Sequence, residues 1–526
     1  MAQINYRGNL ASAYFPFIST FEGRTVIVGQ SDNNYDRQLN SSADPDKDKG
    51  IPQIYYCHNV MPSGEGLQSV GYEQRIDDYT SPNPILLDRA FQLRDDSVGA
   101  KAYFMIGASA VYPVFSESMG YGAAITNYYD VALSTFVSLP VSLTSLQVTT
   151  AHVNGITYLY ISGLYCLKWN FVSARFELVP LLGLTPSSIL GLTESNGYLI
   201  AYSNNAVAWS SVITPTDFIP SLQTGAGGGN VEGIKGNITC ASPTSSGFIT
   251  YTNENAVAVL YTGNARYPFQ FSECIGAGGV TTLERVSYEA DSGYNYAYTS
   301  KGFQILRAKT AETVFSNLTD FLAGQYFEDF NETDLTFLQQ VIIAPLKKKV
   351  NFIAARYLVV SYGITSLTHA IVYDYVQKRF GKLKIDHVDC FEYNLLSEVS
   401  SDIPRKSIAF VQSQGKILTV NFAVGFTNRP GVLLLGRYQY VRSRRLQMQT
   451  VEFENINLNS VFNLYAMVSY DGKNTGAIIP GIAISTANNL RTYGFGSPDG
   501  VNHSLCAVGT FNAVSIQLNF NITGNI

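Results

Sequence analysis

The chain has 526 residues, with 35 Lys and Arg against 40 Asp and Glu, for a formal net charge of −5. That balance argues against the surface-wide basic face that nucleic-acid readers carry, and no segment reaches the ~18 consecutive apolar residues of a membrane-spanning helix. With only 14% charged residues but 35 Tyr and 30 Phe, the composition favours half-buried pleated sheets. The length predicts more than one domain.

Residues 1–83 read as an N-terminal arm with the first strands. The opening Met1-Ala2-Gln3-Ile4-Asn5-Tyr6-Arg7 lacks the apolar core of a secretory signal, so synthesis in the cytoplasm is expected. Ser31 to Gly50 is polar and reads as a long loop. Asp44, Asp46 and Asp48 alternate there, but Lys49 stands where a calcium loop needs Gly and Tyr55 where it needs a bidentate Glu.

Residues 84–435 carry a recurring hairpin. Gly155-Ile156-Thr157-Tyr158-Leu159-Tyr160-Ile161 turns at Ser162-Gly163 into Leu164-Tyr165-Cys166-Leu167-Lys168-Trp169. The same pattern opens again at Gly197, Gly247 and Gly293, so the opening glycines lie 42, 50 and 46 residues apart. Strand-rich repeats of roughly 40–50 residues are the period of β-propeller blades, and each is too small to bury its apolar face without neighbours. A second internal match pairs Trp169 to Phe176 with Tyr373 to Phe380, each an aromatic strand, a polar turn and an Arg-Phe strand. The expected architecture is an all-β protein: a propeller of six or seven blades with loop insertions, including a candidate helical insertion at 311–340. Residues 436–526 alternate as further strands, with a hairpin turn at Asp471-Gly472, and predict a C-terminal β-sandwich-like domain.

Chemistry is poorly signalled. The six cysteines form no CxxC pair, and the five histidines have no metal-ligand spacing. Gly225 to Gly229 lacks the Lys-Ser/Thr of a phosphate loop. No catalytic, cofactor-binding or metal-binding residue is assigned. Lys347-Lys348-Lys349 reads as a solvated turn. Arg437, Arg442, Arg444 and Arg445 sit on and around an alternating strand and are candidates for a subunit interface or a phosphate contact.

Two passages carry a family resemblance. One is Cys57-His58-Asn59-Val60-Met61-Pro62-Ser63-Gly64-Glu65-Gly66-Leu67-Gln68-Ser69-Val70-Gly71-Tyr72. The other runs from Ala208-Trp209-Ser210-Ser211 through Pro215, Asp217, Phe218 and Pro220 to Ser221. Together they resemble the tail nozzle (tail hub, or packaged-DNA stabilisation) proteins of short-tailed phages. The resemblance implies a structural, non-enzymatic virion protein in the phage tail, made in the cytoplasm of a bacterial host. It implies a sixfold ring below the adaptor proteins, docking of tail fibres or spikes, and transient, non-specific contact with the packaged DNA that the ring retains. Trp209, Pro215, Asp217, Phe218 and Pro220 would then shape a blade and its loop. The alternative expectation is a carbohydrate- or receptor-binding propeller of the tail, with or without glycan cleavage, motivated by the abundance of tyrosine.

Overall fold

The computed structural model describes residues 3–9, 26–28, 54–63, 66–76, 87–114, 122–264, 266–323, 327–331, 336–341, 346–353, 356–394, 406–421, 430–440, 444–455, 461–469, 477–485, 492–494, 496 and 499–525. Asp44, Asp46, Asp48, Arg442 and the Asp471-Gly472 turn lie outside them.

The opening glycines mark the turn between a blade's innermost and second strands: Gly155, Gly197 and Gly293 lie in the turn itself, and Gly247 begins the second strand, paired with Thr244. Asn154-Gly155 takes φ of 50° and 80°, and Asn196-Gly197 takes 50° and 84°. Positive φ at both positions is the type I′ turn, whose twist suits a two-residue hairpin. The second strands that follow, Ile156–Ile161 and Tyr198–Tyr202, are buried almost throughout. Neighbouring blades cover both faces, so these strands read as continuous apolar runs instead of alternating.

Seven blades follow one another among the described residues. Their innermost strands are Leu87–Asp95, Val148–Val153, Gly191–Ser195, Ile238–Thr244, Val286–Glu289, Lys347–Ile353 and Asp389–Asn394. Each packs beside the next, and the last packs beside the first. The third to fifth blades are four-stranded antiparallel sheets. Among the described residues the seventh has three strands of its own, and Gly71–Ile76 adds a fourth by pairing with Ile417–Asn421. The ring is thus closed by chain from both sides of the repeats.

The internal match from Trp169 and from Tyr373 corresponds to a shared turn. The Asn170 side-chain oxygen accepts the N–H of Val172 and Ser173, both at 3.0 Å. Asp374 accepts those of Val376 and Gln377 at 2.9 and 3.2 Å. Ala174 and Lys378 then take positive φ of 49° and 54°. Among the described residues of 311–340, only Ser316–Ala323 is helical; Phe327–Asn331 and Thr336–Val341 form an antiparallel pair.

A β-sandwich follows. Gly431–Tyr440 crosses residue 436 and pairs with Asn502–Thr510, which pairs with Val461–Ser469. The facing sheet is built on Arg444–Asn455 and Asn512–Asn525, with Gln3–Asn9 paired to the latter. Leu433, Leu435, Leu464 and Leu505 of one sheet meet Leu446, Val451, Ile516 and Leu518 of the other in one buried cluster. All six cysteines are buried free thiols, and burial pushes Cys57, Cys240 and Cys506 up to about 12.

Candidate functional site

The passage from Trp209 folds as one braced loop on the third blade. Trp209 ends the strand Ala206–Trp209, and its indole N–H donates to the Gly225 carbonyl at 3.0 Å. Gly227 lies under the ring, where an added Cβ would sit 3.1 Å from the indole. The Ser211 hydroxyl accepts the N–H of Ile213 and Thr214 at 3.1 and 3.2 Å. Ser211 N–H donates to the Asp217 carbonyl at 2.7 Å, and the Asp217 carboxylate accepts Ile219 N–H at 3.0 Å. Phe218 is 2% exposed and packs among side chains of the second and third blades. Pro215 is half-buried and Pro220 exposed. The five residues therefore meet in one loop braced partly on its own backbone and partly on the second blade, where Leu182 N–H donates to the Thr216 carbonyl and Phe218 N–H to the Leu182 carbonyl, both at 2.9 Å. That loop presents Ile213 and Leu222, 81% and 74% exposed, to solvent.

The passage from Cys57 is a joint. Its hairpin, Val60–Ser63 with Gly66–Ser69, meets the sixth blade at Val60 and Lys382 and the sandwich at Leu67 and Ala513. Asn59, at φ 51°, accepts Lys384 N–H and the Tyr72 hydroxyl with one side-chain oxygen, both at 3.1 Å. Its amide donates to the Pro430 carbonyl at 3.3 Å. One side chain thus touches the sixth blade, the strand that closes the seventh, and the entry to the sandwich.

The arginines do not share a strand. Arg437 belongs to Gly431–Tyr440 in one sandwich sheet, whereas Arg444 and Arg445 open Arg444–Asn455 in the facing sheet. Arg445 is exposed.

Sequence reasoning missed the propeller axis. The innermost strands surround a cavity of about 690 Å³ lined by Thr149, Thr193, Thr239, Ser242, Ser287 and Asn351, with Phe91 and Tyr288 as aromatic walls. Several of these polar groups stitch one blade to the next. The Thr149 hydroxyl accepts Leu192 N–H at 2.8 Å, and the Ser287 hydroxyl accepts Phe352 N–H at 2.8 Å. Lys347-Lys348-Lys349 is not a turn but the start of an innermost strand. Lys349 faces Asp389 of the seventh blade at 2.8 Å, with the two side chains 13% and 5% exposed. Burial opposes its ammonium, but Asp389, with Glu284 behind it, holds it above the ordinary lysine range. Asp389 also accepts Ala90 N–H of the first blade at 2.8 Å. The signal for this clasp was the apolar run directly after the lysines, in step with the blade period.

Two of the histidines, His387 and His503, are buried in the packing. Burial pushes His387 and His503 down to about 4. His387 bonds the Ser361 hydroxyl at 2.7 Å, and His503 bonds the Leu446 carbonyl at 2.7 Å.

No family model and no curated protein matches this chain. Among solved structures, it is similar to the extracellular domain of a protein from B. thetaiotaomicron described as a hybrid two-component system. The identity is 9% and the TM-score 0.39, over 93% of this chain and 64% of that one. This chain thus spans less than two thirds of that neighbour's length. It is also similar to YCF48 in complex with D1 peptide, at 8% identity and TM-score 0.35, over 69% of this chain and 97% of that one.

Proposed function

We propose that this chain is a structural virion protein, the nozzle ring of a short-tailed phage, which extends the DNA channel and retains the packaged genome. The observation that carries the reading is the placement of the two resembling passages. One braces an exposed loop on the propeller and the other joins propeller to sandwich. Both placements support the reading of a scaffold that transmits shape.

The physics is compatible. A closed propeller is stiff, with short, protected edges, and its loops supply surfaces for neighbouring subunits, adaptor proteins and tail fibres. A chain of net charge −5 lets DNA pass without tight retention by phosphate contacts, each of which strengthens binding. Particles assembled without the protein should fill with DNA and then leak it. Full DNA content together with normal infectivity in such particles overturns the proposal.

The axial cavity favours a second reading, a carbohydrate-binding propeller. Its hydroxyl lining and aromatic walls suit a polyol, and its volume falls within the ~300–1,000 Å³ of small-molecule sites. A glycan array separates the two, because the nozzle reading needs no glycan.

A further inference from the structure

Two cations share one aromatic ring where the fifth and sixth blades meet. Tyr298 lies in Tyr294–Thr299, Lys348 in Lys347–Ile353, and Arg285 ends the 3-10 turn Leu283–Arg285. The Lys348 ammonium is 4.7 Å from the ring centroid, and the Arg285 guanidinium carbon is 6.0 Å from it. Both cationic side chains are half-buried. Among the described residues neither forms an ion pair with a carboxylate, whereas the adjacent Lys349 is paired with Asp389. The Tyr298 hydroxyl makes no hydrogen bond among them either.

Like charges brought together out of water disfavour each other. Burial, and then Arg285, push the Lys348 ammonium down to about 8. The face of Tyr298 offsets part of this cost, since a ring attracts cations with its quadrupole. An anion would offset the rest. Arg285 offers a planar fork of donors, Lys348 a compact charge and Tyr298 a hydroxyl, a set that suits a tetrahedral oxyanion.

We propose that Arg285, Lys348 and Tyr298 form a binding site for a phosphate group, carried either by free phosphate or by a nucleic-acid backbone. The site is independent of the arginines at the sandwich and of the nozzle reading. Phosphate bound here spans a blade junction and ties the fifth blade to the sixth.

The test is calorimetric titration of the full-length protein at low salt, with inorganic phosphate in one arm and a short DNA duplex in the other. Arg285→Gln and Lys348→Met should each weaken binding by about tenfold or more, because each removes a charge-assisted contact. Lys347→Met, an exposed neighbour on the same strand, should leave binding unchanged. Lys348→Met relieves a repulsion, so its melting temperature should equal or exceed that of the parent. Parent binding should tighten as pH falls from about 9 to about 7.5, where phosphate stays largely doubly charged, and Lys348→Met should lose that trend. Heat with phosphate assigns the site to a small ligand, and heat with DNA alone assigns it to a backbone. Equal affinities in parent and variants, or no binding of either probe, overturn the proposal.

Discussion

Replacing Asp389 by Asn should loosen the closure of the ring more than its single-atom change suggests. The carboxylate accepts Ala90 N–H at 2.8 Å, Cys390 N–H at 2.7 Å and the Asn351 amide at 3.3 Å, and it pairs with Lys349 at 2.8 Å. These contacts join the first, sixth and seventh blades. Asn keeps the shape but removes the charge, leaving the Lys349 ammonium, 13% exposed, without its partner. Breaking one side of a buried pair costs about 3–5 kcal/mol. Lys349→Met should cost less, about 1–2 kcal/mol, because the carboxylate keeps its three N–H donors. The double variant should then lose less than the two single losses combined, with a coupling of about 1 kcal/mol or more. Urea unfolding followed by fluorescence reports directly, since the only two tryptophans, Trp169 and Trp209, lie in the second and third blades. An Asp389→Asn midpoint within about 1 kcal/mol of the parent at unchanged slope would refute the clasp.

Acid should weaken the fold in a defined window. His387 and His503, ordinarily near 6.5, are held at about 4 by burial, so the unfolded chain binds their protons first. Their contribution is complete above about pH 6.5 and is lost as pH falls toward 4, on the order of 3 kcal/mol each at the end; a urea midpoint flat between pH 7 and 4 contradicts this. Gly66→Ala places a Cβ 1.9 Å from the Ala513 carbonyl oxygen and should cost about 1–3 kcal/mol, read as a lower melting temperature. Phe218→Ala empties a site that is 2% exposed and should cost about 3–5 kcal/mol, read in the same way. The six buried thiols should resist an aromatic disulfide reagent until the protein unfolds; fast native labelling would show that the blades open.

The blades were legible because their signals are local. Asn-Gly turns and unbroken apolar strands sit within about ten residues of each other at 155 and 197, and the Asn170 and Asp374 turns repeat the same chemistry. The ring closure was not legible. Gly71–Ile76 finds its partner at Ile417–Asn421, and no local pattern links segments so far apart. The same holds for Gln3–Asn9, which joins the sandwich through Asn512–Asn525. At the lysines the composition misled, because a run of three charges reads as solvated. In the strand, Lys348 lies over Tyr298 and Lys349 reaches Asp389, so alternation sends neighbouring charges to different blades. The Trp209 loop was legible as a motif, but its bracing by Ser211 and Leu182 depends on an adjacent blade.

The nozzle reading rests most directly on stoichiometry in purified particles. Quantitative mass spectrometry of virions, scaled to the portal protein, should give about one copy for every two portal subunits, as a sixfold ring beneath a twelvefold one requires. Copies in multiples of three per fibre site would point to a receptor-binding protein instead, and absence from the particle would contradict the account outright.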